Sequence, residues 1–146
     1  MTLVFFGEID EMRADAVVTA YADPAGSPPF DLVLRGIGVF PPRGAPRALW
    51  IGVAEGEERL KDLHQELAAR ALQLGIALDA RVFSPHLSLA RWKASRPSDR
   101  GRMLAHATDE TIARVRVERA TLYRSHLSSA GPTYTPLAHA TLTASQ

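Results

Sequence analysis

Two long apolar stretches and the helix that follows them constrain the fold of this 146-residue chain more than any other feature. Residues 30–40 are predicted to form a strand, with a bulge or a close backbone neighbour at Gly36 and Gly38, and the prolines and glycine of residues 41–44 turn the chain. Residues 48–53 are continuously apolar, which is typical of a central strand buried on both faces. The next segment carries apolar residues at helical spacing, at Leu60, Leu63, Leu67, Ala71 and Leu74, before Gly75 ends the helix.

The segments before and after this unit add further elements. Residues 2–6 are β-branched and aromatic and predict a strand, and Asp10 can cap a helix over residues that include Met12 and Val17. Near the other end, alternating patterns predict strands over residues 115–124 and 134–142, joined as a hairpin through residues 125–132. Helices and strands in this mixed order predict an α+β fold, and the length suits a single domain over residues 1–146.

Composition excludes several kinds of chemistry. The chain has no cysteine, which rules out disulfides, thiolate metal sites and cysteine nucleophiles and is compatible with a reducing cytoplasm. No apolar run approaches the roughly 20 residues that a membrane helix needs, so we expect a cytoplasmic protein. Residues 1–80 carry 7 basic and 12 acidic side chains, whereas residues 81–146 carry 10 and 4, so the second half would attract a polyanion. A general arginine bias explains the many arginines equally well.

The segment over residues 84–91 combines residue types that suit phosphate chemistry. It is predicted to be a short strand in which His86 and Ser88 share one face and Leu87 and Leu89 the other. A hydroxyl can donate to a phosphoryl oxygen while an imidazole gives or takes a proton near neutrality. The alternative is a hydrogen-bonded structural histidine, which is also the role expected for His64 at the edge of the helix stripe.

A basic segment follows this strand. Residues 92–103 are predicted to form a loop or short helix with four basic side chains, Lys93, Arg96, Arg100 and Arg102. Either a solvated loop or an RNA-contacting loop fits this composition.

Two motifs together resemble a known family. Residues 2–8 read Thr-Leu-Val-Phe-Phe-Gly-Glu and residues 83–91 read Phe-Ser-Pro-His-Leu-Ser-Leu-Ala-Arg. They resemble the two His-x-Thr/Ser-x motifs of the two-histidine phosphoesterases, in particular the RNA 2',3'-cyclic phosphodiesterases first named 2'-5' RNA ligases. The similarity extends over essentially the whole chain, including residues 122–125, Gly131 and Tyr134.

The resemblance implies a fold, an activity and a set of site residues. The fold would be two pseudo-symmetric lobes whose antiparallel sheets face a central groove, and the activity would be metal-independent and cofactor-free hydrolysis of 2',3'-cyclic phosphate ends to 2'-phosphates, with reversal as RNA ligation. His86 would be catalytic, and Thr2 and Ser88 would bind phosphate. Weaker substrate-binding candidates are Arg91, Phe6, Lys93, Arg124 and Ser125. Strand alternation points Arg91 away from His86 unless a bulge intervenes.

The chain departs from the family pattern at its front. Family members have another strand and a long helix before the first motif, and its histidine would stand immediately before Met1, so that the motif would read His-Met-Thr-Leu. We expect an N-terminally truncated chain, with a divergent member as the alternative. The expected partners are RNA ends or nucleotides carrying a 2',3'-cyclic phosphate, without a membrane or an obligate protein partner. The rival functions are a catalytically inactive RNA- or nucleotide-binding remnant and an unrelated α+β domain.

Overall fold

The computed structural model of the chain describes residues 1–144. Its helices are α1 (Glu11–Ala22), α2 (Glu57–Gln73) and α3 (Pro97–Leu104). Its strands are β1 (Phe30–Phe40), β2 (Ala48–Glu55), β3 (His86–Arg91), β4 (Thr111–Val117), β5 (Arg119–Ser128) and β6 (Gly131–Thr141).

The strands form two antiparallel sheets. One has four strands in the order β3-β2-β1-β4, and the other is the β5-β6 hairpin. Helices and antiparallel sheets in mixed order confirm the predicted α+β class. Among residues 1–144, no helix is both long and apolar enough to cross a membrane.

The hydrophobic core lies where α1 and α2 pack against the sheets. Asp10 caps α1 by accepting a hydrogen bond of 2.8 Å from the backbone N–H of Arg13, as predicted. Val17 and Tyr21 of α1 and Leu63 of α2 are buried in one cluster. The cluster also contains Leu32 of β1 and Leu142, which follows β6. The other face of the four-stranded sheet carries Trp50 and the fully buried Val33, which lie outside this cluster.

The predictions for α2 and β1 are confirmed, and that for β2 needs a small correction. The glycine prediction in β1 is correct, because Gly36 has φ +75° and the register shifts between Arg35 and Ile37. The central strand β2 is not buried on both faces, since Trp50 and Gly52 are only half-buried on the face away from the core.

The predicted strand at residues 2–6 is wrong. The described chain has no helix or strand before α1, and the carbonyl of Leu3 accepts from a histidine side chain instead of a neighbouring strand. Leu3, Val4 and Phe6 still pack against the core. Apolar residues produce a strand only when a backbone partner is available, and here burial occurs without one.

The predicted strand at residues 115–124 is also wrong as a single element. It is divided at Glu118, where β4 of the four-stranded sheet ends and β5 of the hairpin begins. The hairpin is confirmed, but β5 extends four residues beyond the predicted end of its strand, and β6 begins three residues before the predicted start. Ser125 and Pro132 lie inside β5 and β6, and only Ser129 and Ala130 connect them.

Candidate active site

A β-bulge in β3 determines which side chains share its polar face. The register with β2 shifts so that Leu89 has no partner, while His86, Ser88 and Arg91 each pair with a residue of β2. Their partners are Gly52, Trp50 and Ala48 in that order. Paired residues in an antiparallel ladder lie on the same face, and alternate residues of β2 also share a face. The bulge therefore brings Arg91 onto the face of His86 and Ser88, whereas regular alternation would turn it away.

The hydrogen bond of His86 fixes the role of each ring nitrogen. Nδ1 lies 2.7 Å from the carbonyl oxygen of Ser84. A carbonyl oxygen can only accept, so Nδ1 carries a proton and donates it. Nε2 is left as the nitrogen of this exposed side chain that can take or give a proton.

The neighbourhood of His86 is shaped by Trp50 and two glycines. The ring centroids of His86 and Trp50 are 6.3 Å apart at an interplanar angle of 64°. The indole lies over Gly38, where an added Cβ would overlap it. Gly52, directly opposite His86, adds no side chain beside the imidazole. The strand pattern did not identify Trp50 as a site residue, although a glycine paired with a tryptophan indicates such a close approach.

A cavity of about 1080 Å³ lies between the N-terminal segment and the β5-β6 hairpin. Five of the predicted site residues line it together, namely Thr2, Phe6, Arg91, Arg124 and Ser125. Arg91 is the residue common to this cavity and to the His86 face. The polar face of β3 therefore borders the cavity that holds Thr2.

The remaining predicted residues have different surroundings. Phe6 lines the cavity, but its ring packs edge-to-face on Tyr21 with centroids 5.3 Å apart, so its first role is structural. Lys93 is exposed beyond the end of β3 and lines neither this cavity nor the His86 face. The structure thus groups seven of the eight predicted residues around β3 and the cavity.

Two tyrosines of the cavity were missed as site residues. Tyr123 and Tyr134 lie edge-to-face with ring centroids 6.3 Å apart, and both are more than half exposed. Exposed aromatic rings beside arginines are suited to contact a nucleobase. In the sequence these tyrosines belong to the alternating patterns of the two hairpin strands. Alternation does not show which face of a hairpin is exposed.

His64 connects the two motif-bearing segments. Its Nδ1 donates to the carbonyl oxygen of Leu3, with the two atoms 2.8 Å apart, and its ring stacks on Phe83 at 4.2 Å and 12°. The structural role predicted for His64 is confirmed. Leu3 follows Thr2 and Phe83 lies three residues before His86, so one side chain of α2 contacts both segments.

Tyr21, which lines the cavity beside Phe6, has a shifted pKa. Burial raises the pKa of the Tyr21 hydroxyl to about 12, partly offset by the nearby Arg70 guanidinium. Within residues 1–144, histidine and carboxylate side chains do not come together in any group of three or more that could hold a metal ion.

Comparison with known proteins places these features in a family. Residues 1–128 match the family model of the 2'-5' RNA ligase superfamily. An RNA 2',3'-cyclic phosphodiesterase of Methanothermobacter thermautotrophicus is 33% identical over 138 residues, which are 93% of this chain and 74% of that protein. A protein of the same name from Aquifex aeolicus is 34% identical over 137 residues, 92% of this chain and 73% of its own length.

Solved structures agree with the sequence relatives. The crystal structure of TT0787 of Thermus thermophilus matches with a TM-score of 0.75 and 31% identity, covering 99% of this chain and 78% of that one. Escherichia coli LigT complexed with 3'-AMP matches with a TM-score of 0.73 and 27% identity, covering 97% and 75%. The fold is therefore the one that these solved structures share. The chain belongs to the 2'-5' RNA ligase superfamily.

Proposed function

We propose that this chain is an RNA 2',3'-cyclic phosphodiesterase that opens cyclic phosphate ends to 2'-phosphates and acts in the cytoplasm as a single two-lobed domain. The observation that carries the proposal is the common face of His86, Ser88 and Arg91, created by the bulge at Leu89. An imidazole, a hydroxyl and a guanidinium on one face suit a phosphoryl group that gains charge as it reacts. Relatives at 33% and 34% identity carry the same activity in their names.

Each of the three groups has a distinct role in the proposed reaction. Water attacks phosphorus, the bond to the 3' oxygen breaks, and a proton moves from the water to the leaving oxygen by way of two general acid-base groups. His86 is one of them and exchanges its proton at Nε2, because Nδ1 is occupied by the carbonyl of Ser84. Ser88 and Arg91 donate hydrogen bonds to the non-bridging oxygens.

The cavity supplies the rest of the proposed site. Thr2 donates to the phosphate from the side opposite β3, and Arg91 reaches the same space because it lines that cavity. Arg124 and Ser125 extend the contacts toward the ribose and the next phosphate. Attack on the cyclic phosphate by a 5'-hydroxyl in place of water would break the same bond to the 3' oxygen and join two RNA ends through a 2'-5' linkage.

A binding-only function is the second candidate, and the motif histidines favour it. Met1 holds the x position of the first motif, so His86 is the one motif histidine among residues 1–146. Such a chain would bind the phosphate end through Ser88 and Arg91 without turnover.

Turnover of adenosine 2',3'-cyclic phosphate in the presence of EDTA separates the two functions. We expect the chain to form adenosine 2'-phosphate, and we expect a histidine inserted immediately before Met1, behind a new initiator methionine, to raise the rate by about 10²-fold or more, as general acid-base groups do. Binding of adenosine 2'-phosphate without turnover in both proteins would instead establish the remnant. Formation of the 3'-phosphate would contradict the proposed bond cleavage.

A further inference from the structure

The positive charge of the chain is concentrated in two short segments. Residues 41–47 and 91–102 together carry seven arginine and lysine side chains and a single carboxylate, Asp99, which gives a net charge of +6. The remaining residues carry 10 basic and 16 − 1 = 15 acidic side chains, a net charge of −5. The charges of residues 1–80 and 81–146 do not reveal this concentration, because Arg43 and Arg47 lie in the first half, whose net charge is negative.

Hydrogen bonds join the two segments into one surface, which we call the basic platform (residues 41–47 and 91–102). The backbone N–H of Trp92 donates to the carbonyl of Arg47 at 3.0 Å, and the hydroxyl of Ser95 donates to the carbonyl of Pro46. The guanidinium of Arg100 donates to the carbonyls of Pro41 and Gly44. Arg100 is therefore committed to structure, and it fixes the loop between β1 and β2 against α3.

The other six cations of the platform are free to bind a ligand. They are Arg43, Arg47, Arg91, Lys93, Arg96 and Arg102, all exposed. No described carboxylate forms an ion pair with any of them, whereas Arg13, Arg81, Arg114 and Arg116 elsewhere are all paired. Asp99 accepts from the backbone N–H of Arg96 at 2.8 Å and caps α3. Arg96 and Arg102 also line a concavity of about 330 Å³.

The platform is continuous with the phosphate-binding face of β3. Arg91 ends that strand, shares the face of His86, and pairs with Ala48, the residue after Arg47. A strand whose terminal phosphate lies at His86 would therefore meet further cations along residues 91–102. Five of the six free cations are arginines, which bind phosphates in a bidentate manner.

We propose that the basic platform binds the RNA strand on the 5' side of its cyclic phosphate end, so that the chain acts on oligonucleotides in preference to mononucleotides. This inference rests on the proposed function, since it places the reacting phosphate at His86. The ligand is a single-stranded ribonucleotide chain of several phosphates. RNA fits this surface better than an acidic protein does, because an acidic protein would not use the phosphate site that lies next to the platform.

Binding of RNA by a charge-reduced variant tests the platform without requiring catalysis. Arg43→Gln/Arg96→Gln/Arg102→Gln removes three free cations, and Arg13→Gln/Arg59→Gln/Arg81→Gln removes the same charge from α1, α2 and the loop before β3. Fluorescence anisotropy with a short 5'-labelled RNA at several salt concentrations gives affinity and salt slope. We expect the platform variant to bind RNA about tenfold more weakly. The slope of log affinity against log salt concentration should fall in magnitude by about 2, because each phosphate contact on a single strand contributes roughly 0.7. The control variant should match the unsubstituted protein.

Turnover provides the second measurement. The ratio of kcat/KM for an oligonucleotide with a 2',3'-cyclic phosphate end to that for adenosine 2',3'-cyclic phosphate should fall by about tenfold in the platform variant and stay constant in the control. Equal losses of RNA affinity in both triple variants would overturn the platform, as would tighter binding of polyglutamate than of RNA. If neither substrate is turned over, the proposed function is refuted but the platform is not, because the anisotropy experiment does not depend on turnover.

Discussion

His64 is predicted to hold the Thr2 segment in place, and its two contacts can be separated by substitution. His64→Phe keeps an aromatic ring against Phe83 but removes the donor to the half-buried carbonyl of Leu3. An unsatisfied partner of this kind costs about 1–2 kcal/mol. His64→Ala also removes the stacked ring, for which we expect about 1–1.5 kcal/mol more.

Denaturant unfolding measures both changes, with His139→Phe as the matched control. His139 also bonds through Nδ1, 3.0 Å from the hydroxyl of Thr121, but it is exposed, so its replacement should cost less than about 0.5 kcal/mol. Amide exchange at residues 4–6 should accelerate in His64→Phe, and the affinity for adenosine 2'-phosphate should fall several-fold because Thr2 is no longer held. Unchanged stability and unchanged exchange in His64→Phe would refute this coupling.

Three further predictions concern the scaffold. Burial raises the pKa of Tyr21 to about 12, so the buried neutral hydroxyl stabilises the fold below pH 10. This contribution of at most about 3 kcal/mol should be lost as the pH rises from 10 to 12. Urea unfolding at each pH should show the loss in the unsubstituted protein and not in Tyr21→Phe. In Gly38→Ala the added Cβ overlaps the indole of Trp50, so the substitution should shift the fluorescence of Trp50 and lower the free energy of unfolding by about 1–3 kcal/mol. In Gly101→Ala of α3 the Cβ meets nothing within 4 Å, so thermal unfolding should show a stabilisation of about 0.5–1 kcal/mol. Arg70→Met removes hydrogen bonds to three backbone carbonyls around the end of α1 and should lower the free energy of unfolding by about 2–4 kcal/mol, against little change for Arg59→Met.

Elements with a strong internal pattern were predictable from the sequence. β1 has the predicted bounds of residues 30–40, and the stripe of α2 is buried at Leu60, Leu63 and Leu67 as its spacing requires. These elements bury one face and expose the other, which is the pattern that sequence periodicity reports. The grouping of His86 with Ser88 followed from the same alternation.

Features that depend on a partner segment were not predictable. Residues 2–6 have strand composition, but pairing depends on a backbone neighbour that composition does not reveal. The bulge at Leu89 arises from the register with β2, and a one-residue shift changes the face of every later side chain, including Arg91. The basic platform joins residues 41–47 to 91–102, and no local pattern relates segments so far apart.

The face of β3 unites the candidate site. It contains the imidazole of His86, the hydroxyl of Ser88 and the guanidinium of Arg91, and Arg91 both lines the cavity and belongs to the basic platform. A function that used only the cavity or only the platform would not need His86. The role of this histidine is therefore the claim on which the account depends.

The most direct test compares hydrolysis of adenosine 2',3'-cyclic phosphate by the unsubstituted protein, His86→Ala and His106→Ala. His106 is an exposed histidine just after α3 and outside the site, so its replacement controls for the loss of any imidazole. We expect His86→Ala to lose at least about 10²-fold in kcat with an unchanged thermal midpoint, while His106→Ala keeps its rate. Full turnover by a folded His86→Ala protein would contradict a catalytic role for His86.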